Sequence, residues 1–140
     1  MYEYSCTVER VVDGDTIDVV LDLGFDIFYK SRVRLYGIDT PESRTRDLDE
    51  KARGKMASAF LKEAIEGGDK IVIQTKLKDS RGKFGRVLGN VVVDEENINQ
   101  SMIDANLAVA YYGQSKNEVE QEHLENRRIL IEKGLFEPVG

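Results

Sequence analysis

Two kinds of apolar periodicity divide this chain, and they restrict its fold more than any other feature of the sequence. Over residues 6–36 apolar and polar side chains alternate, as at Ile17 and Val19, and an Asp-Gly step at 13–14 marks a tight turn. From Ala52 onward, apolar residues recur at the four-residue spacing of a helix. The first third is therefore predicted to form strands, and helices are expected to follow.

The later periodicities complete the predicted order of three strands, a helix, two strands and two helices. Beyond residue 50 we predict a helix over 52–65, strands at 71–73 and 87–93, a short helix from Asn97 to Leu107 and a third helix from about Glu118 to Lys133. This order fits an α+β fold in which a five-stranded antiparallel oligonucleotide-binding (OB) barrel is surrounded by three helices. The sequence has no internal repeat or linker, so we expect residues 1–140 to form one domain.

The numbers of cysteine and histidine residues exclude several kinds of site. The 140 residues include one cysteine and one histidine, which is too few for a disulfide framework or a Cys/His zinc site. His123 lies among glutamates on the third predicted helix, where we expect a solvated or capping role rather than catalysis. Any chemistry must therefore depend on carboxylates, arginines, lysines, hydroxyls or a hard metal ion.

Acidic residues gather at two predicted turns. Asp13 and Asp15 flank the first turn, and Asp39 and Glu42 flank the second. If both turns lie at one rim of the barrel, Asp15 and Asp39 could share a divalent cation, which prefers oxygen ligands. The alternative is that these acidic residues only stabilise the turns in which they lie, and composition alone favours this alternative.

Basic and aromatic residues supply candidates for contacts with a polyanion. Arg34 and Arg86 could bind phosphate through their planar guanidinium groups, although surface ion pairing explains each one taken singly. Phe84, Tyr111 and Tyr112 could stack on bases, but we expect at least one of the two adjacent tyrosines to fill the core instead.

The distribution of charge matters more than its sum. A net charge of -6 argues against a nucleic-acid partner, yet residues 70–86 contain six basic residues and one acidic residue. A basic hairpin beside an acidic rim would guide a phosphate backbone toward a metal ion. A solvated hairpin explains the basic residues equally well.

Three segments, read together and in order, resemble the signature of the staphylococcal-nuclease-like (thermonuclease) family. They are VDGDT at 12–16, RLYGIDTPE at 34–42 and KFGR at 83–86. The second segment is the most specific, and the resemblance extends over about residues 6–136. It implies a five-stranded OB barrel with three helices. It also implies a calcium-dependent endonuclease that hydrolyses DNA and RNA and leaves 3′-phosphate ends.

The resemblance also implies roles for individual residues. The implied calcium ligands are Asp15, Asp39 and the carbonyl of Thr40. The implied catalytic residues are Arg34, Glu42 and Arg86. The implied substrate-binding residues are Lys83, Phe84, Tyr111 and Tyr112. The chain departs from the best-known members of the family in being acidic and in carrying Phe84 where a tyrosine is often found.

The alternative function is a non-catalytic OB-fold module that binds nucleic acid or protein. The completeness of the implied catalytic and metal-binding set favours the nuclease. We expect DNA and RNA as partners with single strands preferred, no membrane association and a monomeric state. The N-terminus shows no leader peptide, which predicts a cytoplasmic protein, although a secreted protein whose leader has been removed would look the same.

Overall fold

The computed structural model describes residues 2–75 and 87–139, and within these ranges the chain forms eight strands and three helices. In chain order the elements are β1 (Tyr2–Asp13), β2 (Thr16–Asp22), β3 (Phe28–Leu35), β4 (Ile38–Asp39), α1 (Leu48–Glu66), β5 (Ile71–Thr75), β6 (Val87–Val93), β7 (Glu96–Asn97), α2 (Ile98–Asp104), β8 (Val109–Ala110) and α3 (Lys116–Glu132). The predicted order of the longer elements is confirmed, and three two-residue strands are added to it.

The five longer strands close into a barrel, which confirms the predicted OB-type fold with three helices. β1 pairs with β2 and β5, β2 with β3, and β5 with β6, and all these pairs are antiparallel. The closing pair, β3 with β6, is parallel, with Val33 opposite Val87. The prediction of a wholly antiparallel barrel is therefore wrong in this detail. Strand direction cannot alternate all the way round a ring that has an odd number of strands.

The alternating residues of the strands form the core that the periodicity predicts. Ile17, Val19 and Val33 are fully buried inside the barrel. Helix α1 adds Ala57 and Leu61 to the same apolar cluster. Burying this apolar surface is the main favourable contribution to folding.

Two helices begin earlier than predicted because their caps lie outside the apolar stripe. The Asp47 side chain accepts hydrogen bonds from the backbone N–H groups of Asp49 and Glu50, so α1 begins at Leu48 rather than at Ala52. Ser115 caps α3 in the same way. No helix within the described ranges is both long and apolar enough to cross a bilayer.

A second, two-stranded sheet joins the end of the barrel to the segment before α3. Ile38 pairs with Ala110 and Asp39 with Val109. The Tyr111 N–H also donates a hydrogen bond to the Gly37 carbonyl at 2.8 Å. This small sheet fixes the second acidic turn relative to α3.

Candidate active site

The first acidic turn, Asp13–Asp15, is held tightly against β3 and α1. The Leu35 N–H donates a hydrogen bond to the Asp15 carbonyl at 2.8 Å. A Cβ atom at Gly14 would lie 2.7 Å from the Cβ of Ala57 and 3.2 Å from the Cγ2 of Thr40, closer than side chains normally approach. The absence of a side chain at Gly14 therefore lets this turn pack directly on Thr40.

Arg34 joins the two acidic turns. Its Nη1 donates to the Leu35 carbonyl at 2.8 Å and its Nη2 to the Ile38 carbonyl at 2.9 Å. The same Nη2 lies 3.4 Å from Asp15 Oδ2 and 3.8 Å from Asp39 Oδ1. With only 19% of its side chain exposed, the guanidinium is held in place, and it brings both carboxylates to one nitrogen atom.

Glu42 lies at the exposed edge of this acidic group. Its backbone N–H donates a hydrogen bond to Glu50 Oε2 at 3.1 Å, which ties the loop to the first turn of α1. Partial desolvation raises the pKa of the Glu42 carboxyl above its ordinary value, and the nearby negative charges of Asp15 and Asp39 raise it further. A carboxylate with a raised pKa is a better proton acceptor once it is ionised.

A cavity of about 1120 Å³ opens over these groups. The residues that line it include Arg34, Asp39, Glu42, Tyr111 and Tyr112. The two tyrosine residues are 47% and 75% exposed, so the expectation that one of them fills the core is wrong. Both rings can therefore contact a ligand in the cavity.

The donor groups near the cavity fit a hard cation. Asp15 and Asp39 supply carboxylate oxygens, and Thr40, which follows Asp39, is buried beside the Asp13–Asp15 turn. Within residues 2–75 and 87–139, no three His, Cys, Asp or Glu side chains are grouped to hold a metal ion. A cation here would therefore take two carboxylates, completed by a carbonyl, water or substrate oxygens. Ca²⁺ and Mg²⁺ accept such all-oxygen sets.

The structure brings most of the predicted residues to one region. Asp15, Arg34, Asp39, Thr40 and Glu42 meet at the two turns, and all of these except Asp15 line the cavity together with Tyr111 and Tyr112. Lys83, Phe84 and Arg86 lie outside the described residues, as does most of the basic run from 70 to 86. Their predicted roles stay predictions.

The expected role of His123 is wrong, because this side chain is neither solvated nor a helix cap. Its Nε2 lies 2.8 Å from Asp39 Oδ2, and only 12% of the side chain is exposed. The sequence contained one signal for this position: His123 lies seven residues before the buried Leu130, on the same face of α3.

A buried asparagine that the sequence analysis missed supports the second turn. The Nδ2 of Asn99 donates to the Tyr36 carbonyl at 2.9 Å, and its Oδ1 accepts from the Val91 N–H at 3.0 Å. Asn99 therefore fastens the end of β3 to β6. An asparagine on a short helix gives no sequence signal for this role.

Comparison with known proteins finds one matching family and several relatives of similar sequence. The family model described as staphylococcal nuclease homologue matches residues 32–130. Endonuclease YncB of Bacillus subtilis (strain 168) is 31% identical over 131 residues, which are 92% of this chain and 59% of that protein. The thermonuclease of Staphylococcus intermedius is 34% identical over 108 residues, 77% of this chain and 60% of that protein. Endonuclease YhcR of Bacillus subtilis (strain 168) is 33% identical over 116 residues, 79% of this chain but only 9% of that protein.

Proposed function

Because the chain belongs to the family of staphylococcal nuclease homologues, we propose that it is a metal-dependent nuclease that hydrolyses phosphodiester bonds in nucleic acids. The observation that carries the proposal is the position of Arg34, whose Nη2 lies 3.4 Å from Asp15 and 3.8 Å from Asp39 in the cavity that Glu42 also lines. The chain spans 60% or less of the length of each of the three relatives reported above, so their full activities are not carried over.

The metal of the proposed site is Ca²⁺, held by the carboxylates of Asp15 and Asp39 and by the Thr40 carbonyl. A bound cation of this kind supplies Lewis-acid stabilisation of the charge on a phosphate oxygen. All three groups offer oxygen donors, which calcium prefers to nitrogen or sulfur.

Glu42 is the proposed general base. In the reaction, the ionised carboxylate takes a proton from a water molecule whose oxygen attacks the phosphorus atom. The P–O5′ bond breaks, the 5′ oxygen takes a proton from solvent and leaves as an alcohol, and the 3′ side keeps the phosphate. The protonated Glu42 then returns its proton to solvent. Partial desolvation, the largest cause of the raised pKa of Glu42, makes its carboxylate a stronger base and suits this role.

Arg34 is proposed to stabilise the charge that develops on the phosphoryl oxygens. Its guanidinium is already oriented by two backbone carbonyls, so it needs no reorganisation when the transition state forms. Arg86 is proposed as the second arginine of this kind.

Tyr111 and Tyr112 are proposed to stack on bases at the cavity wall. Lys83 and Phe84, from the basic segment, are proposed as further substrate-binding residues. Stacking requires bases that are free of their partner strand, which favours single-stranded DNA and RNA. We further propose that the chain is a single nuclease domain and acts as a monomer in the cytoplasm.

The experiment that tests the function is cleavage of oligonucleotides with 5′ labels. The proposal predicts internal cleavage of single-stranded DNA and RNA in the presence of Ca²⁺, with fragments that carry 3′-phosphate ends. Retention of the labelled strand in a gel shift without any cleavage would instead establish the non-catalytic binding module.

Gly54→Ala is expected to displace Glu42 and lower both stability and activity. A Cβ atom at this position would lie 2.8 Å from the backbone C and O of Glu42, and backbone atoms cannot move aside as a side-chain end can. Overpacking of this kind costs about 1–3 kcal/mol of unfolding free energy, and misplacing a reacting group by 1 Å can slow a reaction by about 10²-fold. Urea unfolding and cleavage rates measure the two effects.

Lys55→Ala is the matched control, because it adds an alanine at the next, exposed position of α1. It should leave the unfolding free energy and the cleavage rate near their wild-type values. An active, equally stable Gly54→Ala protein would show that the loop does not depend on this close approach.

A further inference from the structure

His123 contacts the proposed metal ligand Asp39 from the side opposite Arg34. The His123 Nε2 lies 2.8 Å from Asp39 Oδ2, while Asp39 Oδ1 is the oxygen nearer to Arg34, at 3.8 Å from its Nη2. An ionised carboxylate can only accept hydrogen bonds, so the Nε2 atom of His123 must carry the hydrogen. The two oxygens of Asp39 thus face different partners.

Helix α3 holds His123 rigidly in this place. One turn further along the helix, the Asn126 Nδ2 donates to the Ala108 carbonyl at 3.1 Å, and the Arg127 Nε donates to Asp49 Oδ1 at 3.0 Å. Ala108 directly precedes Val109, which pairs with Asp39 in the small sheet. The backbone of Asp39 and the ring of His123 are therefore tied to the same short segment.

We propose that His123 is a positioning residue of the metal site, which holds Asp39 by its Oδ2 and directs Oδ1 toward the cation. The inference rests on the proposed function, because it assumes that Asp39 is a metal ligand. Partners that orient a ligating side chain lower the cost of ordering it, and their loss reduces metal affinity by about 10–100-fold. His123 itself does not have to touch the substrate or the cation.

Calorimetric titration of the purified chain with CaCl₂ tests the proposal. His123→Ala should weaken calcium binding by about 10–100-fold. His123→Gln should recover most of that loss, because its amide Nε2–H can take the place of the imidazole Nε2–H. Gln121 is exposed on the same helix, so the Gln121→Ala variant should bind calcium as the wild type does.

The pair of His123 variants separates positioning from structural support. Both variants lose the same ring, so a purely structural role would give them equal affinities, and that result would overturn the proposal. Unchanged calcium affinity in His123→Ala would overturn it too. In cleavage assays, His123→Ala should need more calcium for half-maximal rate while approaching the wild-type rate at saturating calcium.

The two proposals can fail separately. A wild-type chain that binds calcium but cleaves no nucleic acid would refute the nuclease, while the affinities of the His123 variants would still decide the positioning role. A wild-type chain that cleaves nucleic acid with calcium, together with a His123→Ala variant of equal calcium affinity, would refute the positioning role alone. A wild-type chain that binds no calcium would overturn the positioning role together with the proposed metal.

Discussion

Replacing Glu42 with glutamine is expected to lower the rate of phosphodiester hydrolysis by about 10²–10⁴-fold, the usual contribution of a general base. Glutamine keeps the size and the polarity of the side chain but cannot accept a proton from water. Glu42 is not among the proposed calcium ligands, so the variant should still bind calcium and nucleic acid. The loss should therefore appear in kcat, with little change in KM.

Single-turnover cleavage of a labelled oligonucleotide measures this loss directly. Glu63→Gln provides the matched control, because it makes the same chemical change at an exposed position on α1. Removing a negative charge beside Asp15 and Asp39 also reduces the repulsion within the site, so the folded protein should be no less stable. A Glu42→Gln protein that cleaves at the wild-type rate would disprove the assignment of the general base.

The second large effect is expected for Arg34→Lys, which should lower kcat by about 10²–10³-fold, as the loss of one preorganised donor to a charged transition state does. The guanidinium donates through two nitrogens to the carbonyls of Leu35 and Ile38 and still faces both carboxylates. The single ammonium of lysine cannot reproduce this forked arrangement. Some loss of stability should accompany the loss of rate, because at least one buried carbonyl loses its donor.

Arg32→Lys is the control for this experiment. Arg32 lies on the same strand two residues away, and it pairs with Asp18 on the barrel surface rather than with the site. An exposed pair of this kind contributes little, so its substitution should leave the rate unchanged. Equal rates for Arg34→Lys and the wild type would remove Arg34 from the mechanism.

The sequence alone predicted the barrel because apolar and polar side chains alternate along the strands, as buried and more exposed positions do in the structure. Ile17 and Val19 are buried, and Asp18 between them is not. The same reasoning only allowed Asp15 and Asp39 to lie at one rim, and the resemblance to the nuclease family selected that arrangement over ordinary turns. The parallel pairing of β3 with β6 leaves no mark on the residue pattern, because it follows from how the ring closes.

The contact of His123 with Asp39 could not be predicted, because it depends on how α3 docks. The spacing of His123 to Leu130 indicates only that the side chain turns inward. His123 and Asp39 are 84 residues apart in the chain. Their contact is set by hydrogen bonds of Asn126 and Arg127 to two other segments. The glutamates around His123 indicate an exposed helix face, and they mask a histidine that turns inward.

The most direct test of the proposed metal-dependent nuclease is cleavage of single-stranded DNA under three conditions in one experiment. We expect rapid cleavage with Ca²⁺, none with excess EDTA, and full recovery when Ca²⁺ is restored in excess over the chelator. The Glu42→Gln variant should cleave about 10²–10⁴-fold more slowly than the wild type whenever Ca²⁺ is present, and not at all in EDTA. Cleavage by the wild type that continues in EDTA, or that Ca²⁺ fails to restore, would contradict the proposed mechanism.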